Sequence, residues 1–541
     1  LGALTVNTTG TTTFSAAVTA ASVTTNAGGT VALNGATVTT TGAQTYNDAV
    51  VLGADTTLAA TTATFNDTIT GAYGLTITGN AVFGNATADT VTLTGTNKAL
   101  SVSGTSTINA NITTTGGQTY TGATTLGAIV TLSASSITTG STFAAGSYAL
   151  TMTTDAISLG GALSGSAALV IQPKTDATTI GLGSSITSTS CGGAACSLAL
   201  DDTELGRLAD GFLSIAIGST TGTGAIAINY TTPYTFADPV TIRSKATSGG
   251  GSITASSALA SSTNSLTLST YGAVSVAGIT SGTLAITGTG ITLNGNITTS
   301  GTQTYTGAVT LGGSVTAAST GASSTGNTIS FGSSVNGAQA FVVDAGVGAI
   351  SFASTVGNSA SLASISLTTS HSTGITLTGN ITTTGTQTYT GAVRLASNAT
   401  LTTTNSNVEF GGTLNSDATT RTLTIAAGGG AVTFTGAVGG SAALGATAIT
   451  AATTTNSSTW VGNSTLGITG NAVVNGAISG ITTLSVSGTS SIAANITSSS
   501  NQTYTGAVTI SGSAVTLNSG TAGTVLFSST VNSAANVGNT A

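Results

Sequence analysis

Along this 541-residue chain the hydrophobic positions come mostly on every second residue, in short runs. Thr283-Leu-Ala-Ile-Thr287 and Ile291-Thr-Leu-Asn294 alternate apolar and polar side chains as half-buried strands do. Gly, Asn and Ser separate the runs, and these residues tolerate the left-handed backbone of tight corners. The pattern predicts short strands joined by tight turns almost throughout.

The runs belong to a repeat. Asn296-Ile-Thr-Thr-Ser-Gly-Thr-Gln-Thr-Tyr-Thr-Gly-Ala-Val-Thr-Leu311 returns almost verbatim from Asn380 to Leu395. Looser copies run from Asn111 to Leu126 and from Asn495 to Ile510, and a remnant spans Gln44 to Val50. Its reduced form is an aromatic followed four residues later by an aliphatic, as in Tyr46/Val50, Phe236/Val240, Tyr305/Val309, Tyr389/Val393, Phe434/Val438 and Tyr504/Val508. Tyr120 belongs by its flanks, although Thr124 replaces the aliphatic. Half of the spacings between successive aromatics of this kind lie between 19 and 26 residues. A repeat of roughly 20–25 residues with strand patterning is the signature of stacked β-coils. An immunoglobulin-like string needs units of about 100 residues, each with its own core. The expected fold is therefore all-β, a parallel β-helix (β-solenoid), with these aromatics as core stacking residues; a sugar-stacking array is the alternative role for them.

Composition sharpens this. Charged residues make up 4% of the chain, against about 25% in ordinary soluble domains. Disorder is excluded because 39% of the residues are hydrophobic. Seven Lys and Arg cannot line a phosphate-tracking groove, so nucleic acid is excluded as a partner. No apolar run is long enough for a membrane-spanning helix. The chain opens without Met or a signal segment and stops in mid-pattern, so a piece of a longer or processed protein is expected.

Residues 173–245 break the regularity. They hold all three prolines, both cysteines and 10 of the 21 charged residues, dividing the chain into repeats at 1–172, an irregular segment at 173–245 and repeats at 246–541. Asp201 with Glu204 three residues on reads as a helix-starting capping box, Leu205 and Leu208 share a face, and Gly211 is placed to end the helix after about two turns. Cys191-Gly-Gly-Ala-Ala-Cys196 suggests a small disulfide loop, with two free thiols as the alternative; no further Cys or nearby His supports a metal site. Asp201, Asp202, Glu204, Arg207 and Asp210 form either a solvated helix face or a partner-binding patch.

Leu198, Leu200, Glu204, Leu205, Leu208, Gly211, Leu213 and Ile215 resemble a module of large filamentous-haemagglutinin-like bacterial exoproteins. The phrases Gly-Asn-Ile-Thr and Tyr-Thr-Gly-Ala-Val are similar to strand repeats of that family. The resemblance implies a right-handed parallel β-helix, exported through an outer-membrane partner pore, that mediates attachment and biofilm formation. It covers the chain in style and about twenty residues in specific motif. Neither the family's secretion domain nor an Arg-Gly-Asp is recognisable.

Catalysis is not expected. Asp201-Asp202 and Arg243-Ser-Lys245 superficially match the paired acids and Arg-x-Lys of pectin hydrolases, but the only histidine, His371, stands far from both in Ser-His-Ser. No cofactor or metal fingerprint is visible. The leading expectation is a secreted or cell-surface adhesive β-solenoid whose partner is a cell-surface glycan or protein. The alternative is a self-assembling fibre, sheath or matrix subunit, favoured by weak electrostatic repulsion. Ice binding through Thr-x-Thr ladders is disfavoured because Thr keeps no strict period along the sequence. Asn111, Asn296, Asn380 and Asn495 match glycosylation acceptors, yet their recurrence at one repeat position favours a turn role.

Overall fold

In the computed structural model the described residues are 1–86, 88–186, 196–322 and 327–534. Among them stand 62 strands and one helix, and the strand pairings are parallel, about 26 stacked turns in all. Two compact units divide the chain, Leu1–Val274 and Ser275–Ala541, and each is a β-solenoid.

The division does not follow composition. The irregular segment 173–245 lies inside the first unit because the stack runs through it: Ala168–Gln172 pairs with Ser214–Ile217, which pairs with Val240–Arg243, which pairs with Leu259–Ser269. Apart from Arg243, which ends one of these strands, the prolines and charges of 173–245 sit outside that column.

In the second unit each coil contributes three short strands, and their inward residues stack in three columns. One runs Tyr305–Phe331–Phe352–Leu377–Leu395, a second Leu367–Tyr389–Phe410–Phe434–Asn456, and a third Ile468–Val486–Tyr504–Phe527. Within these three columns successive rungs are as close as 18 residues (Val486 to Tyr504) and as far apart as 26 (Tyr305 to Phe331). The range is wider than 20–25 because corners absorb extra residues without shifting the strands. Some strands bend through a corner unbroken. Leu75–Phe83 does so at Gly79, whose φ of 127° excludes most side chains and where a Cβ would strike the Ala60 carbonyl oxygen.

In-register aromatics stack. Tyr46, Phe65 and Phe83 lie 5.3 and 5.7 Å apart by ring centroid. Tyr305, Phe331 and Phe352 lie 4.8 and 4.9 Å apart, and Tyr389, Phe410 and Phe434 lie 4.9 and 5.2 Å apart. Tyr504 stacks on Phe527 at 5.3 Å. Tyr120 has no stacked ring, since its rung neighbours are Val102 and Thr139, and Phe236 meets Tyr234 edge-on at 4.9 Å. Tyr46, Tyr120, Phe236, Tyr305, Tyr389, Phe434 and Tyr504 are all buried, which leaves these rings no exposed face for sugar stacking.

Each of the four interior repeat copies, and the remnant at Gln44, also buries a glutamine. Gln44, Gln118, Gln303, Gln387 and Gln502 are fully buried, and in each case the Oε1 two residues before the tyrosine accepts its hydroxyl, at 2.8–3.1 Å. At Gln387 the Nε2 donates to Ile381 O, Thr383 Oγ1 and Thr402 O, so the amide joins its own corner to the next coil. Thr383 Oγ1 in turn donates to Gly385 O at 2.6 Å, closing the corner. Burial pushes the tyrosine hydroxyls far above their ordinary range. The second unit uses this corner in all three columns, at Tyr305, Tyr389 and Tyr504, so it is a transferable local structure. Outside, Asn111, Asn296, Asn380 and Asn495 each accept the backbone N–H of a residue one coil on (Thr131, Thr316, Thr400 and Thr516), at 2.7–2.9 Å.

Candidate functional site

The irregular segment begins its local order at α1 (Asp202–Leu205), a single turn. Asp201 caps it: its Oδ1 accepts Glu204 N at 2.8 Å while Glu204 Oε2 accepts Asp201 N at 3.2 Å. The expected second turn does not form. Gly206 ends the helix, and Leu208 is drawn into a parallel bridge with Leu163. Gly211 instead takes a φ of 124° in the following turn. Leu205 and Leu208 are both buried, so their shared apolar pattern reports the core of the solenoid rather than a longer helix.

The carboxylates around α1 are committed to backbone amides. Asp202 accepts Ser184 N at 3.1 Å and Thr231 N and Thr232 N at 3.0 and 3.2 Å. Those donors hold its carboxyl below the usual range in spite of desolvation. Glu204 Oε1 accepts Leu159 N at 3.0 Å. Half-burial, with the charge of Asp201, raises Glu204, while Leu159, Asp201 N and the nearby Arg207 oppose the rise. Asp238 Oδ1 accepts Gly211 N at 3.0 Å, and burial with the adjacent Asp210 raises its carboxyl. Tyr234, partly buried beside Asp238, is pushed up to about 12.

Besides Asp238, two further acids outside the expected set take part. Asp155 accepts Lys174 N, Thr175 N, Thr175 Oγ1 and Thr178 Oγ1 at 2.7–3.0 Å, which lowers its carboxyl against desolvation. Asp176 accepts Thr221 Oγ1 at 2.7 Å. Nothing local in the sequence marks them, because their partners come from neighbouring coils. Chemically the ensemble is a set of clips that fasten excursions to the stack: Asp201, Asp202 and Glu204 each spend their oxygens on amides. Arg207 lends its backbone carbonyl to Leu163 N at 2.8 Å.

Cys196 is disulfide-bonded, and Cys191 lies outside the described residues. His371, in the second unit, accepts Thr373 N on Nδ1 at 3.0 Å within a turn. Arg243 donates from Nε to Gly218 O at 3.3 Å. Among the described residues no group of three or more His, Cys, Asp or Glu could hold a metal ion. A shallow cleft of about 260 Å³ lies beside Lys98, whose Nζ bonds both oxygens of Asp55 at 2.9 Å.

The class that this fold defines is a parallel β-solenoid. No family model, curated protein or solved structure matches the chain. Among the described residues no helix is long and apolar enough to cross a membrane.

Proposed function

We propose that this chain is a non-enzymatic, extracellular segment of a bacterial surface adhesin, a structural and adhesive β-solenoid of the filamentous-haemagglutinin-like kind. The observation that carries the reading is where its polar chemistry goes. Buried Gln–Tyr corners, coil-to-coil Asn bonds and the carboxylates around α1 all serve the scaffold, while the outward positions present short neutral hydroxyls. A Cys196 disulfide fits an oxidising compartment. The partner of this reading is a glycan or protein on a cell surface.

Weak surface charge also favours a second reading, a self-assembling fibre subunit. One experiment separates them. Beads coated with the purified chain are scored for attachment to cells, and the same preparation is viewed by electron microscopy. Attachment by unassembled protein supports the adhesin; long filaments without attachment support the fibre and reject the adhesin.

A further inference from the structure

One face of the first unit carries two outward ranks of residues in register. It is built from Thr90–Leu93, Asn111–Thr114, Val130–Ala134 and Leu150–Thr154. Pairing aligns Thr70, Thr92, Thr113, Ser133 and Thr153 in one rank. Thr90 pairs with Asn111 and Thr131 with Thr151 in the second, and Thr131 N donates to Asn111 Oδ1 at 2.7 Å to join the two halves. Between the ranks Val91, Ile112, Leu132 and Met152 point inward and are buried, so the backbone beneath is fixed.

We propose that this face binds ice. Neighbouring rungs repeat at about 4.8 Å along the stack and the two ranks stand about 6.6 Å apart along each strand. The rung repeat is close to the shorter oxygen spacing across a prism face of the ice lattice. Eight of the nine positions carry a hydroxyl, seven of them Thr, whose methyl and hydroxyl together can seat an ordered water layer without attracting counter-ions. None of the nine positions is charged, and a charge stands at the edge, where Lys174 Nζ donates to Thr114 O at 2.8 Å. Among the described residues only Thr153 of these hydroxyls meets another side chain, accepting Gln172 Nε2 at 3.1 Å.

The absence of a strict sequence period is no obstacle. Corners absorb the variation in coil length, and pairing restores the lattice. Other strands of the first unit, such as Leu100–Val102, Gln118–Tyr120 and Ile137–Thr139, have three residues and present one outward side chain each, so they form single rows. Beyond the array the ranks end in Val170 and Gln172, paired with Thr151 and Thr153.

The test uses the purified full chain in measurements of thermal hysteresis and ice recrystallisation. Thr113→Tyr and Thr113→Lys place bulk or charge at the centre of the array, and Thr138→Tyr places the same bulk on a single-row face. Circular dichroism and melting confirm that each variant is folded. The expected result is inhibition of ice growth by the parent and Thr138→Tyr, with more than half of it lost in both Thr113 variants. A folded parent without effect on ice overturns the proposal, as do Thr113 variants that match the parent. So does a result in which the substitutions only disperse self-associated chains, or only abolish binding to an insoluble polysaccharide, with ice growth untouched.

Discussion

Two stretches of the chain face the same difficulty, satisfying backbone groups where the path leaves a strand, and they answer it with opposite chemistry. At the Gln–Tyr corners the groups are buried, and neutral amides and hydroxyls meet them. In the segment around α1 the excursions reach the surface, and carboxylates of Asp155, Asp202 and Glu204 meet them instead. The difference follows from which groups are unmet and from desolvation. The corner carbonyls Ile381 O and Thr402 O take donors, which an acceptor-only carboxylate cannot supply. A carboxylate inside a coil carries the cost of a buried charge, as at Asp48, where Oδ1 accepts Gly29 N and Oδ2 has no partner. At the rim, water shares its solvation and the charge strengthens each N–H bond. Neutral corners should therefore hold the stack at any pH, and the clips with depressed carboxyls, Asp155 and Asp202, only while they are ionised.

The comparison breaks hardest at a corner. Gln387→Leu leaves the Tyr389 hydroxyl without its partner and removes the side-chain donor from Ile381 O and from Thr402 O. Thr402 O still accepts Thr383 N at 3.0 Å. An unmet buried group costs about 1–3 kcal/mol. A loss of about 2–3 kcal/mol is expected, read as lost amide protection around Tyr389. Adding Tyr389→Phe should restore part of it, since removing both members of a pair leaves fewer groups unmet. At the rim, Asp202→Asn keeps the shape but weakens three N–H bonds. A loss of about 1–2 kcal/mol is expected, confined to amides near Ser184 and Thr231, with the corners unchanged. Smallest is Asn380→Ala, which removes one exposed bond to Thr400 N and should cost about 0.5–1 kcal/mol by denaturant titration.

The sequence disclosed these regions unequally. Stacked aromatics were legible because Tyr and Phe are rare in this chain and their spacing is the coil. The glutamines were not, because Gln between threonines reads as surface, and only the closed corner reveals its partners. Asp201 and Glu204 were legible as a cap, since a capping box is local. The partners of Asp202 and Glu204 lie from 18 to 45 residues away, beyond any local pattern. The helix was overread because Leu208, spaced like a helical neighbour of Leu205, is a strand contact of Leu163. Thr ladders were hidden by unequal coils and appear only once the strands are paired.

Acidification separates the two chemistries most cleanly. Asp155 and Asp202 are depressed in the folded chain, so their stabilisation is present above the unfolded carboxylate range of about 4 and is lost as pH falls through their folded values. Glu204 and Asp238 are raised, so their contribution runs the other way and grows as pH falls through their folded values. The net loosening should therefore begin only below about pH 4. The decisive measurement is hydrogen exchange of the intact chain, as protection factors corrected for intrinsic rates, at neutral pH and below that threshold. The expected result is loss of protection around Lys174–Thr178, Ser184 and Thr231, with the corners at Tyr305, Tyr389 and Tyr504 unchanged. Equal loss in both regions, or loss at the corners first, would contradict the account.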